Sequence, residues 1–559
     1  MSSQWFKDVV VYQIYPQSFQ DSNGDGIGDL NGIKKRIPYL KKLGVDVVWL
    51  TPIYSSPGVD NGYDISDYLK INPQFGTMDD FDGLLTALHK NGLKLLMDLV
   101  VNHTSDQHKW FRESKKSRNN PYSDYYIWKD PVDGHRPNNW GATFGGSVWT
   151  YVPQRKQYYL HLFVPQQPDL NWKNPKLRKN LYKMMRFWLD KGIDGFRMDS
   201  IGAISKPDGL PNAPQVKGAK YGNTFAVTLN GSHLEKYLKE MNREVLSHYD
   251  IMTVGEMSGT TTQEANRFAS LNGRELNMIF QFEHVNLAAN PDTRLGKWND
   301  QPISLVQLKE ILSRWENQLH GKGWNSLYWN NHDQPRAVSR FTCDDPKYRL
   351  RAAKMLGTTL HMLEGTPYIF EGEELGIPNV HFKKLKEYED VESINAYHDF
   401  AEDQKLVSSA KMLSYLSHMS RDNTRTPMQW DNSKNDGFTT GQPWFKVSPN
   451  YPNYEKINVQ NALKDPDSVF YYYHKLIQLR HQYKIIRWGS YEELDPKDNE
   501  VFAYKRHYQD ENLLVINNFT KKNLWRDYQQ RKAQKLLLSN YQDDQLEKIR
   551  PYESKVYLL

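Results

Sequence analysis

The sequence predicts an α/β protein built on a closed (β/α)8 barrel (TIM barrel), with an irregular insertion after strand 3 and a C-terminal antiparallel β-domain. Three observations predict it: a strand–helix alternation that can be counted to eight, a break in that rhythm from residue 104 to 171, and short alternating strands after about residue 480.

Short apolar runs at Val9–Tyr15, Val45–Ile53 and Leu93–Val101 read as buried parallel strands. Between them lie helical patterns at Leu30–Leu43, closed by Gly44, and Met78–Lys90, closed by Asn91 and Gly92. Residues 104–171 are rich in Asn, Pro, Gly, Tyr and Trp, with little helical period. The rhythm returns with helix Pro175–Lys191, strand Ile193–Met198, helix His233–Ser247 and strand Ile251–Gly255, and continues through helices Leu305–Leu319 and Tyr348–Leu363. Strands beginning near 9, 45, 93, 193, 251, 277, 326 and 367 make eight. Helix Val469–His481 then precedes strands at Val501–Arg506, Asn512–Asn518, Ala533–Ser539 and Lys555–Leu559. The expected division is 1–103 with 172–480 as the barrel, 104–171 as the inserted domain and 481–559 as the C-terminal domain.

Composition narrows the function. The 559 residues carry a net charge of only +6 with no long basic block, which argues against a nucleic-acid partner. Tyr 35 and Trp 16 are high counts, and flat rings suit the apolar faces of sugars. One cysteine, Cys343, allows no intramolecular disulfide and no thiolate zinc cluster. The opening residues lack a basic-then-apolar leader, and no run approaches the ~18 apolar residues of a membrane span. The expectation is a cytoplasmic protein with no membrane partner, as a monomer or weak homo-oligomer.

In a barrel, chemistry sits where strands end. Strand three ends in Asp98-Leu-Val-Val-Asn102-His103, strand four in Gly195-Phe-Arg197-Met-Asp199, strand five in Gly255-Glu256, and strand seven in Asn330-Asn331-His332-Asp333. One carboxylate at a strand end is ordinary helix capping. Three of them, with two His and one Arg on one rim, suit glycosidic bond cleavage, which needs one carboxylic acid and one carboxylate. A two-metal hydrolase is the rival, weakened by Arg197, a permanent cation two residues from Asp199 on the same strand face.

These stretches, with Tyr12-Gln-Ile-Tyr15-Pro and Val254-Gly-Glu256, resemble the signature regions of the α-amylase family of retaining glycosidases (glycoside hydrolase family 13). Gln167-Pro-Asp-Leu-Asn-Trp172, Gly365-Thr-Pro-Tyr-Ile-Phe-Glu-Gly-Glu-Glu374 and Arg421-Asp-Asn-Thr-Arg425-Thr-Pro-Met-Gln-Trp430 resemble its oligo-1,6-glucosidase and α-glucosidase branch. The resemblance implies Asp199 as nucleophile, kept ionised by Arg197, and Glu256 as general acid/base with a raised pKa. It implies Asp333 on the sugar's 2- and 3-hydroxyls and His103 and His332 as donors to the same glucose. The resemblance further implies that Asp98 is mainly structural, that Tyr63 stacks under the terminal glucose, and that Phe163, Gln167 and Ser200 join the substrate-binding set. Asp60 is expected to pair with Arg425 and so close the pocket on a non-reducing end. No organic cofactor is expected. Asp21, Asn23, Asp25, Ile27 and Asp29 offer oxygens at every second residue, and similar loops in this branch bind calcium or magnesium, so a structural Ca2+ (or Mg2+) is expected; the alternative is an Asx-rich turn held by its own hydrogen bonds.

Linkage rests on Ser200. Members specific for α-1,6 bonds usually carry Val after the nucleophile, so a polar residue there leans toward α-1,4 (maltose-type) substrates, with α-1,6 activity and transglucosylation as companions. Oligo-1,6-glucosidase activity is the alternative, followed by trehalose-6-phosphate hydrolysis. Sucrose isomerisation is disfavoured because Arg294-Leu-Gly-Lys-Trp298 lacks that group's second Arg and both Asp. A non-enzymatic sugar-binding scaffold would lack one of Asp199, Glu256 and Asp333, and all three are present. Two further departures from the family pattern are Glu371, where Gln is common, and Ser258, where Pro is common.

Overall fold

The computed structural model describes residues 4–445 and 456–559, so Met1–Ser3 of the opening segment lie outside it. Eight parallel strands form one sheet: β1 (Val11–Ile14), β2 (Val47–Leu50), β3 (Lys94–Val100), β4 (Gly195–Asp199), β5 (Met252–Glu256), β6 (Met278–Phe280), β7 (Ser326–Leu327) and β8 (Thr366–Phe370). Their spatial order is β6-β5-β4-β3-β2-β1-β8-β7. A parallel bridge from Ile279 to Asn325 joins the two ends into a barrel. Every residue of β1, β2, β4 and β8 is buried, because helices cover the outside while side chains fill the inside.

Register places the chemistry. Asp98 of β3 lies opposite Arg197 of β4, and Val100 opposite Asp199. On the other side Val254 of β5 pairs with Arg197 and Gly255 with Met198, so Glu256 comes level with Asp199. Alternation then sends Asp98, Arg197, Asp199 and Glu256 to one face.

The predicted helix over Leu30–Leu43 is two helices, Leu30–Lys35 and Ile37–Leu43, hinged at Arg36 (φ −96°, ψ 3°). Pro38 explains the break: it supplies no N–H and its ring crowds the carbonyl four residues back. Gly44 ends the second helix at φ 96°, as its capping role requires. Helix Met78–Lys90 begins with a reciprocal Thr77–Asp80 capping box.

Residues 104–171 hold a short helix (Lys109–Ser114) and a three-stranded antiparallel sheet of Trp128–Lys129, Gln157–Leu160 and Trp149–Val152. After β8 the chain builds a satellite cluster around Phe382, Tyr388, Met412 and Leu416, using helices Val391–Tyr397 and Ser409–Met419. Helix Val469–Gln482 packs on helix Arg349–His361, where Thr358 and Tyr472 hydroxyls meet at 2.7 Å. A five-stranded antiparallel sheet follows, ordered β9 (Ser490–Leu494), β10 (Val501–Tyr508), β11 (Glu511–Asn518), β13 (Ser554–Leu558), β12 (Lys535–Ser539). Strand β9 was not expected from its pattern: Ser490-Tyr-Glu-Glu-Leu494 carries one fully buried side chain. Along β10 and β11, Phe502, Tyr504, Leu513 and Val515 join the barrel's core, while Val501, Ala503, Leu514 and Ile516 form a second one. No described helix is long and apolar enough to cross a membrane.

Candidate active site

A cavity of about 430 Å3 opens at the C-terminal ends of the strands, within the range of small-molecule sites. Asp60, Tyr63, His103, Phe163, Asp199, Ser200, Glu256 and Asp333 line it. Arg197, Gln167, His332 and Arg425 stand behind the wall and hold the lining residues.

Arg197 is fully buried and binds three carboxylates: Asp98 at 2.7 Å, Asp199 at 3.0 Å and Glu256 at 2.7 Å. Asp98 is completed by Trp49 Nε1 (3.1 Å) and the Tyr63 hydroxyl (3.2 Å), so it supports the floor. One cation therefore serves three acids. Burial and then the Glu256 charge push the Asp199 carboxyl well above its ordinary range, against Arg197. Arg197, expected to keep Asp199 ionised, thus works against larger effects of burial and of the neighbouring acid. Ser200 follows in the left-handed region (φ 44°), unusual for a residue with a side chain, and this turn aims its N–H at Glu256 Oε2 (3.0 Å). Among the described residues both donors to Glu256, from Arg197 and Ser200, meet Oε2.

Asp333 accepts on Oδ1 from Arg421 (3.0 Å) and Arg425 (2.9 Å), and its Oδ2 lies 3.0 Å from His332 Nε2. Burial raises its pKa, but His332 and the two guanidinia overcome this and hold it well below the carboxylate range. His332 takes Gln13 Nε2 on Nδ1 (2.8 Å) and meets the Tyr63 hydroxyl with Nε2 (2.6 Å), so both ring nitrogens are engaged. Tyr63 lies flat on the His332 ring, centroids 5.2 Å apart and planes within 2°. His103 Nε2 faces the Tyr63 carbonyl at 3.1 Å, and burial lowers its pKa. Phe163 packs edge-on against His103 at 5.0 Å.

The expected Asp60–Arg425 pair does not form. Asp60 is met by Arg421 at 3.4 Å and by Gln167 Nε2 at 3.0 Å. Arg425 turns instead to Asp333 and to Asp390 (3.3 Å). The two arginines are one helical turn apart, and spacing alone does not say which reaches Asp60. Arg421 also binds Asp390 (2.5 Å) and Glu392 (3.4 Å), and Glu392 binds Lys297 at 2.6 Å. Sequence reasoning missed Asp390, Glu392 and Lys297, which lie outside any strand-end motif; Arg421 was legible in the quoted stretch but was passed over.

Glu371 is completely buried, accepts from the Tyr15 N–H at 2.9 Å and leaves Oε1 unpartnered. Burial raises its pKa well above the ordinary value. Burial thus favours its neutral acid form, which has the shape of the glutamine common at this place in the family. Ser258 lies on the cavity wall.

The Asp21–Asp29 loop is closed by its own hydrogen bonds. Asp21 Oδ1 accepts from Asn23 and Gly24 N–H groups (2.9 and 2.7 Å), and Asp25 Oδ1 from Ile27 N–H (2.8 Å). Asp29 caps the next helix through Gly32 N–H (2.7 Å) and receives the Ser22 hydroxyl at 2.8 Å. Among the described residues no three His, Cys, Asp or Glu side chains converge closely enough to hold a metal ion.

Comparison with known proteins agrees with this geometry. Residues 13–489 match the family model "Alpha amylase, catalytic domain", and residues 501–556 match "Alpha-amylase SusG C-terminal domain". The chain is 53% identical to an oligo-1,6-glucosidase of Parageobacillus thermoglucosidasius, over 100% of this chain and 99% of that protein. It is 51% identical to an α-glucosidase of Pediococcus pentosaceus, again over 100% and 99%. The crystal structure of Bacillus licheniformis trehalose-6-phosphate hydrolase superposes with a TM-score of 0.91 at 47% identity, covering 99% of each chain. With the barrel, the acid cluster and these matches together, the chain belongs to the α-amylase family of glycoside hydrolases, in its oligo-1,6-glucosidase and α-glucosidase branch.

Proposed function

We propose that this α-glucosidase is a retaining, exo-acting enzyme that removes terminal non-reducing glucose from short α-linked oligosaccharides, preferring α-1,4 bonds. Asp199 attacks the anomeric carbon while Glu256 gives its proton to the departing glycosidic oxygen. Water then enters, loses a proton to Glu256 and displaces Asp199; a sugar hydroxyl in place of water gives transglucosylation. Two carboxyls bridged by the single guanidinium of Arg197 support this pairing, and donors confined to Glu256 Oε2 leave Oε1 for the proton. Asp333, held ionised between Arg421 and Arg425, suits the 2- and 3-hydroxyls as the ring flattens. His103 and His332 exchange present partners for hydroxyls of the same glucose. Asp60, Arg421 and Gln167 form the closed end that stops a longer chain from running through. The domain division at residues 103/104, 171/172 and 480/481 is part of this proposal.

The α-1,4 preference is carried by Ser200, whose small polar side chain lies on the cavity wall beside Glu256. The oligo-1,6 reading is favoured by the 53% identical relative. Initial rates on maltose, isomaltose, sucrose and trehalose 6-phosphate, with Asp199→Ala as blank, decide between them. Maltose well above isomaltose supports the proposal; isomaltose dominant makes the enzyme an oligo-1,6-glucosidase; activity confined to the phosphorylated sugar overturns both. Ser200→Val should raise the isomaltose-to-maltose ratio by about tenfold, the scale of one contact in a pocket.

Cys343 as sole cysteine supports a reducing, cytoplasmic setting, and we propose a monomer or weak homo-oligomer. The Asp21–Asp29 loop is proposed to take one hard cation on the lone pairs its hydrogen bonds leave. A melting temperature that rises with calcium or magnesium and falls with chelator supports that, and one indifferent to both removes it.

A further inference from the structure

Phe225 is 44% exposed, one of few large apolar side chains on the surface, and it lines the same cavity as the acid cluster. An exposed ring at a cavity mouth is a candidate contact for whatever enters. Its segment is held firmly. The Thr224 hydroxyl donates to the Gly141 carbonyl at 2.7 Å, and Asn230 bonds Gly202 through its N–H (2.8 Å) and Thr260 through its amide (2.9 Å).

Position says which part of a substrate would meet it. Asp60, Arg421 and Asp333 close one end of the cavity with charge. Leu229 lies against Gly259, shortly after Glu256, and Asn230 bonds Gly202, shortly after Asp199; Phe225, one helical turn before Leu229, also lines the cavity and stands on this Glu256 side. The proton donor faces the departing oxygen, so sugar beyond the broken bond leaves on the Glu256 side. We infer that Phe225 is a specificity-determining residue: its ring receives the apolar face of a glucosyl unit beyond the departing one, which makes trisaccharides better substrates than disaccharides. This inference rests on the α-glucosidase reading above.

The test is kcat/KM for p-nitrophenyl α-glucoside, maltose and maltotriose, with isomaltose and isomaltotriose in parallel, for the unmutated enzyme, Phe225→Ala and Phe225→Tyr. Phe225→Ala should lower the trisaccharide-to-disaccharide ratio about three- to tenfold, the scale of one aromatic contact. The loss should sit in KM, with the aryl glucoside unaffected and Phe225→Tyr retaining the ratio. A ratio unchanged within twofold, or an equal fall on all substrates, overturns the inference while leaving the α-glucosidase reading intact. No hydrolysis of any α-glucoside by the unmutated enzyme overturns that reading, and this one with it.

Discussion

The sharpest test of the pocket's closed end is whether Asp60 is coupled to Arg421 or to Arg425. The Asp60–Arg421 contact is 3.4 Å with both side chains 7% exposed. At an effective dielectric of about 20, unit charges at that distance attract by about 5 kcal/mol. Desolvation offsets much of this, and Arg421 divides its charge among Asp390, Asp333 and Glu392 as well. A double-mutant cycle with Asp60→Asn and Arg421→Met should therefore give a coupling of about 1–2 kcal/mol, roughly a 5- to 30-fold departure from multiplicative kcat/KM. Asp60 has no ion pair with Arg425 within 4.0 Å among the described residues. The cycle with Arg425→Met should give the smaller coupling, because Arg425 meets Asp60 only through Asp333, Asp390 and Arg421. Rates on maltose and isomaltose, with circular dichroism to verify folding, supply the readout. Coupling larger with Arg425 than with Arg421, or additivity in both cycles, refutes the reasoning.

Other outcomes follow from the buried acids. Burial raises Glu373 to about 8, and its Oε2 has no partner. A carboxyl with a raised folded pKa contributes most below its unfolded value and loses that contribution as pH rises through about 8, so Glu373→Gln should melt higher relative to the parent at pH 9 than at pH 6, read by thermal denaturation. Glu371→Gln should be nearly silent at pH 7 in melting temperature and kcat, because burial favours the neutral acid there; a large loss would contradict this reading. Asp333 behaves oppositely. Its folded pKa is depressed, so its contribution is present above about pH 4 and lost as pH falls through the lower folded value. Asp333→Asn should thus flatten the acid limb of a stability–pH curve, and abolish most hydrolysis at neutral pH.

Much of this protein could be read before folding it. Several strands announce themselves as apolar runs buried on both faces, as at Val47–Leu50, and period alone marks helices such as Leu305–Leu319. Asp199, Glu256 and Asp333 stand at strand ends, so counting strands brings them to one rim. What escaped depends on long-range geometry. The insertion's sheet and the helices after β8 have irregular patterns because satellite clusters, not the main core, bury them. Asp390 caps such a helix and Glu392 sits in it, and nothing local says that their partner is Arg421. The net push on Asp199 likewise emerges only when burial and three acids around one guanidinium are seen together.

Closing the barrel also sets a schedule. Strand β1 pairs with β2 on one side and β8 on the other, and the Tyr12 hydroxyl reaches Glu374 across 362 residues of chain. At about 5–20 residues per second, a ribosome takes roughly 20–70 s to make that stretch. Throughout that time β1, whose four residues are all buried in the finished barrel, lacks one neighbour and is an open edge of the kind that recruits other chains. Gln13, which positions His332, waits on the same strand. The catalytic rim is therefore among the last parts to assemble during synthesis, and a nascent chain stalled short of β8 would carry most of the protein's mass, a sticky edge and no working pocket.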